Sequence, residues 1–157
     1  MKTTKMFTVV ALLISILLVN NGLAAQWVLC ASDSSGARLY YDKSSVKKVN
    51  KNVIRVLNKF EYNSKSNKKM AFAELKQIKK APKNSDLMNY DLSVSEIDCA
   101  NNKHRLVSAT FYDVKGKIIY SSSKFGKDWS RIAPSTYMEK VKTKVCPPCK
   151  SCKPKKE

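Results

Sequence analysis

The first residues, MKTTKMFTVVALLISILLVNNGLAA, constrain the rest of the chain more than any later motif. Lys2 and Lys5 make a basic start. Met6 to Val19 is then an apolar run of 14 residues. That is the length of a secretory signal and falls short of the ~20 residues that span a bilayer. Asn20, Asn21 and Gly22 break the run and small residues follow, so cleavage is expected after Ala24 or Ala25. A membrane anchor would need a longer run. A lipid-attachment site would need small residues before its cysteine, whereas Cys30 follows Trp27, Val28 and Leu29. The expectation is a signal peptide over 1–25 and an exported protein, periplasmic or secreted to the cell surface, with no membrane span after cleavage. Export puts the five cysteines where paired thiols become disulfides. The chain left after cleavage suits one domain with one modest core.

Period-two patterning dominates that domain. "QWVLCAS" and "ARLYYD" flank "DSSG", which reads as a β-hairpin. "DKSSVKKVNKN" reads as a turn or one short helical turn, with Asp42 or Ser44 able to cap it. Residues 52–62 alternate as a strand, with Ile54, Val56, Phe60 and Tyr62 on one face and Arg55, Lys59 and Glu61 on the other, beside Val53 and Leu57. "SKSNKK" is expected as a loop. In "MAFAELKQIKK" the period changes: Ala71, Leu75 and Ile78 recur at helical spacing, and Pro82 stops the helix. Residues 89–99 form a strand in which Tyr90, Leu92 and Val94 share a face that Ile97 leaves, so a bulge is expected between Val94 and Ile97. "HRLVSATFYD" and "IIYSSS" complete a three-stranded meander around turns at "ANNK" and "VKGK". "PSTYMEKVKTKV" is a C-terminal helix with Tyr137, Met138, Val141 and Val145 on its apolar side and a capping box from Thr136 to Glu139. The class is α+β: a curved antiparallel sheet with a helix packed on it.

Enzyme chemistry is hard to find. His104 is the one histidine, on a strand, and no serine or cysteine has a nucleophile context. Glu96 and Asp98, two residues apart on one strand face, could act as an acid pair or weak cation site. Pairing across the sheet with a basic residue such as Arg105 explains them better. Charge says more. From Lys43 to Lys83 there are thirteen Lys or Arg against Glu61 and Glu74, in a chain of net charge +18. Lys47, Lys48, Lys51, Lys69, Lys76, Lys80 and Lys83 are the expected polyanion-binding residues, since such a surface concentrates acidic partners. Of Tyr40, Tyr41, Phe60, Tyr62 and Phe72, near this region, half should be core by alternation. Export turns the reading away from an intracellular nucleic-acid target and toward lipopolysaccharide, acidic glycans, extracellular nucleic acid or acidic proteins of the envelope.

The stretch "YDLSVSEIDC", then "KHRLVSATFYDVKGKIIYSSS", Trp129, "IAPS" and "VC" at 145–146 resembles the surface-adhesin protein E family of secreted bacterial proteins, and "WVLCASDSSGARLYYDKSSV" fits that family's first hairpin. The resemblance implies a domain over 26–146 with an antiparallel sheet of about five to six strands. The internal helix lies beside it, and the C-terminal helix is tied to the sheet by a disulfide between Cys99 and Cys146. It also implies an outer-surface location and binding to extracellular matrix and serum proteins, while the residues themselves give no sign of enzyme activity or of a cofactor.

The final stretch, 147–157, reads as a disordered basic tail. In "CPPCKSC" each of Cys149 and Cys152 is followed by lysine, which excludes a c-type haem. The motif follows a helix rather than preceding one, against a thioredoxin-type site. Zinc wants four ligands where this run has three. Metal binding or thiol redox chemistry through Cys149 and Cys152 is the alternative function. Cys30, Cys149 and Cys152 are an odd set: either one tail cysteine bridges to Cys30 or the tail pair closes on itself. Either way one thiol is left that could join two chains as a homodimer.

Overall fold

The computed structural model describes residues 24–69, 87–123, 125 and 128–148. Trp27–Ser32 (β1) and Arg38–Asp42 (β2) form the expected first hairpin. Asp33 builds its turn: one carboxylate oxygen accepts from the Ser35 N–H, the Ser35 hydroxyl and the Ala37 N–H. Gly36 follows at φ +85°, a conformation that a Cβ would strain. A 3-10 turn at Lys43–Ser45, capped by Asp42, leads to Lys47–Lys48 (β3) and Val53–Glu61 (β4). Met88–Asp98 (β5), Lys103–Asp113 (β6), Ile118–Ser122 (β7), Ser130–Arg131 (β8) and the helix Tyr137–Val145 (α1) complete the described elements.

The sheet order is β1-β2-β4-β5-β6-β7, every neighbour antiparallel. β3 pairs with β4 and β8 with β6. The α+β class stands, with eight strands in place of five to six. The difference arises because two lateral positions are each filled by two short strands. β2 and β3 share one side of β4, interrupted by the 3-10 turn, and β7 and β8 share one side of β6. At the first interruption the Leu57 N–H donates to the Ser45 hydroxyl at 2.9 Å, so a side chain supplies the acceptor that the broken ladder lacks.

Two expectations need correction. The register does shift at Val94/Ser95, but the extra residue is Val107 on β6 and not a residue of β5. β5 alternates evenly against β4, with Ile97 fully buried on the core side and Tyr90, Leu92 and Val94 half-buried on the other. Residues 65–69, read as a loop, are helical. The helix expected over "MAFAELKQIKK" lies outside the described residues.

One face of the sheet carries the core. Leu39, Tyr41, Val56 and Ile97 pack beneath Val141 of α1 and Ile132. A second cluster gathers Tyr62, Met88, Ala109 and Phe111. On this face Asn58, Asp91 and Ser95 are buried as well. The Asn58 amide donates to the Ser95 hydroxyl at 3.1 Å and the Tyr62 hydroxyl to Asp91, which offsets the cost of burying them. Helix α1 starts as its sequence predicts: the Thr136 hydroxyl accepts from the Glu139 N–H, and the Glu139 carboxylate accepts from the Ser135 N–H. Its far end is bonded to the end of β5 by the Cys99–Cys146 disulfide, the pairing implied by the family resemblance.

The helix is also tied to the first hairpin, because the Tyr137 hydroxyl donates to Asp33 at 2.7 Å. Hydrogen bonds from Ser35 and then Tyr137 pull the Asp33 carboxyl down to about 2. Burial and then Asp33 push Tyr137 up to about 12. A depressed acid stabilises the fold above its unfolded pKa, and a raised phenol stabilises it below its own. Stability from this pair is therefore full between about pH 4 and pH 10, falls as pH drops toward 2, and falls as pH rises through 12. In Tyr137→Phe the alkaline fall should disappear and the acid fall should shrink, as read by urea unfolding across pH. An unchanged alkaline limb would contradict the tie.

Candidate functional site

Lys47 and Lys48 form β3, and Lys51 lies in the turn that follows. All three are exposed, and none takes part in an ion pair among the described residues. They stand where β4 begins. Lys69, also exposed, lies beyond the end of β4, whose nine residues put about 27 Å between its two ends. Lys76, Lys80 and Lys83 lie outside the described residues. Of the five aromatics, Tyr41 and Tyr62 are buried, Phe60 packs on the core, Tyr40 points to the opposite face, and Phe72 is not described.

The sheet face away from α1 gathers basic residues that are scattered in the sequence. Register aligns Lys47 with Arg55, Arg55 with Glu96, and Glu96 with Arg105. The Trp129 ring lies 4.8 Å from the Arg105 guanidinium carbon, within cation–π range. One row thus crosses β3, β4, β5 and β6 and ends on an aromatic. Next to it, Asp98 pairs with Lys103, and Lys103 with Arg131. Five cations and two carboxylates occupy this end of the face.

Glu96 organises the row. It is 1 % exposed, yet each oxygen is fully used. Arg55 donates to Oε1 through Nε at 3.0 Å and Nη2 at 2.5 Å. Arg105 approaches Oε2 through Nε at 2.8 Å and Nη2 at 2.6 Å. Burial alone would raise the Glu96 pKa, but the hydrogen bonds from Arg55 and Arg105, with their charges, outweigh it and hold it below the ordinary value. The two sequence-flagged acids therefore do different things. Glu96 pairs with Arg105, as cross-strand reasoning expected, and also with Arg55. Asp98 caps the turn after β5, accepting from the Ala100 and Asn101 N–H groups and the Asn101 amide.

At the other end of the face Glu61 pairs with Lys59 at 2.7 Å and Arg38 at 3.7 Å. The Lys59 ammonium lies 5.2 Å from the Tyr90 ring and 5.8 Å from the Tyr40 ring, and Tyr90 stacks on Tyr112 at 4.7 Å. Arg55, Lys103 and Arg131 were missed as site residues from sequence. The outward parity of Arg55 was readable, but that β4 lies beside β5, that Lys103 belongs to a strand and that Ser130–Arg131 pairs with β6 were not.

The remaining flagged residues sit elsewhere. His104 faces the core side opposite Ile97, where burial lowers its pKa, and its Nδ1 has no partner among the described residues. Cys146 is held in the disulfide, so the cysteine run can offer only Cys149 and Cys152, both outside the described residues. Cys30, the extra residue of a β1 bulge, is bonded to no other cysteine among the described residues, and burial pushes its thiol up. Among the described residues no helix is long and apolar enough to cross a membrane.

No curated protein matches the chain in sequence. A family pattern does: the one described as surface-adhesin protein E matches residues 27–147, from the first residue of β1 to just past the disulfide.

Proposed function

Because the chain belongs to the surface-adhesin protein E family, and is thereby an adhesin-like binding module, we propose that it works at the cell surface or envelope without enzyme activity. In this reading residues 1–25 direct export and are removed, 26–146 form the binding domain, and 147–157 are an appended tail. The domain binds extracellular matrix or envelope proteins and acidic polymers through exposed lysines. The observation that carries the reading is the group Lys47, Lys48 and Lys51: three exposed lysines at one sheet edge with no carboxylate partner among the described residues. Unpaired surface cations of this kind attract polyanions over about a Debye length, ~8 Å at physiological ionic strength. Lys69, with Lys76, Lys80 and Lys83, extends the same role.

Matrix and envelope components should be retained by the immobilised chain from residue 26 at low salt and released at high salt. Deleting residues 147–157 should leave that retention intact. Retention of nothing at either salt would sink the reading. Loss of retention with the tail would favour a thiol or metal role for Cys149 and Cys152.

A further inference from the structure

The geometry points to a second element of this binding face: Arg55 and Arg105, oriented by Glu96, form a two-pronged site for the sulfate or carboxylate groups of an acidic polysaccharide. The inference rests on the binding-module reading and adds to it the residues and the ligand class. Each guanidinium spends its side edge, Nε with Nη2, on one oxygen of Glu96. That leaves the end edge of each, Nη1 with the outer proton of Nη2, with no partner among the described residues. This edge is the fork that takes an oxyanion with two parallel hydrogen bonds.

Both arginines reach solvent, with side chains 49 % and 34 % exposed, while the carboxylate that fixes them is 1 % exposed. The prongs are therefore held in place before any ligand arrives, which lowers the ordering cost of binding. Glu96 cancels one of the two charges, and Lys47, directly opposite Arg55, restores the excess. The arginines are two strands apart, about 10 Å at ordinary strand spacing. A ligand with repeating acidic groups can meet both, whereas a single small anion meets one. The half-buried Trp129 ring adjoins this site at Arg105, and Tyr112, stacked on Tyr90, lies at the other end of the same face. Such rings present flat apolar surfaces with a polar tip, suited to a sugar backbone between its charged groups. This favours a glycan over an acidic peptide.

The test is binding of the chain from residue 26 to dextran sulfate, with neutral dextran and polyglutamate alongside, in wild type and in Arg55→Lys with Arg105→Lys. Lysine keeps the charge and can still pair with Glu96 but has no fork. Affinity for dextran sulfate should fall at least about tenfold in the double lysine variant with the net charge unchanged, and neutral dextran should not bind. Arginine side-chain NMR signals in the wild type give an independent reading: those of Arg55 and Arg105 should shift on adding dextran sulfate. Full affinity in a folded lysine variant, with unshifted arginine signals, would overturn the site. The lysine reading would still stand if Lys47→Glu, Lys48→Glu and Lys51→Glu together reduce binding. Equal, arginine-dependent binding of polyglutamate would overturn the glycan assignment. Should the lysine variant unfold, the wild-type signals decide alone.

Discussion

Removing the Cys99–Cys146 disulfide, by reduction or by Cys99→Ala with Cys146→Ala, is expected to cost about 4 kcal/mol of unfolding free energy. The bond spans 47 residues, and closing so long a loop in the unfolded chain is the source of that figure on the chain-entropy account. A domain of this size has about 5–15 kcal/mol in total, so the reduced form should be marginal. Loss should begin at α1. Nine residues are too few for a helix to persist alone, and its hold on the sheet rests on Val141, Tyr137, Met138 and Val145. Once the helix lifts, Leu39, Tyr41, Val56 and Ile97 lose their cover. Guanidinium unfolding with and without reductant measures the difference. A loss below about 1 kcal/mol would mean that packing and the Asp33–Tyr137 tie suffice without the bond.

The second large effect concerns Glu96. Arg55→Ala with Arg105→Ala leaves the Glu96 carboxylate without its two partners on a face where water can replace only part of what they supplied, which is expected to cost about 1–3 kcal/mol at neutral pH. Each single substitution should cost less, since the other arginine still holds one oxygen. The pH dependence separates this cause from a simple packing loss. In the wild type Glu96 has a lowered pKa, so its contribution is present above its unfolded value of about 4.3 and is lost as pH falls below it. In the double alanine variant burial acts unopposed and the folded pKa rises above the unfolded one. The buried group then takes up a proton in the folded state first, and the penalty is relieved as pH falls through that raised value. The deficit against wild type should therefore be largest near neutral pH and narrow toward pH ~4. A deficit that does not change with pH would point to lost packing instead.

Much of the fold was legible because it depends on local pattern. Arg55, Lys59 and Glu61 alternate with Val56, Phe60 and Tyr62, and the strand follows. Asp33 and Gly36 specify a turn that only such residues make easily. Thr136 and Glu139 cap a helix whose apolar side is Tyr137, Val141 and Val145. What stayed hidden depends on neighbours across the sheet. Lys47–Lys48 and Ser130–Arg131 are strands of two residues, too short for any period to show. Val94 and Ile97 hinted at a bulge, but the sequence could not say that β6 absorbs it at Val107. That three polar residues, Asn58, Asp91 and Ser95, lie buried on the core face depends on hydroxyl and amide partners that meet them across strands. The candidate site divides the same way. The Lys47, Lys48, Lys51 run was visible as composition. The Arg55–Glu96–Arg105 row exists only once β4, β5 and β6 lie in register.

The measurement that bears most directly on the binding reading is the affinity of the chain from residue 26 for heparin across a range of salt. It should be made for wild type and for Lys47→Glu, Lys48→Glu and Lys51→Glu combined. The account predicts that wild-type affinity falls steadily with rising salt, and that the reversal variant binds more weakly at low salt with a shallower dependence. Heparin affinity that is indifferent both to salt and to reversal of these three lysines would contradict it.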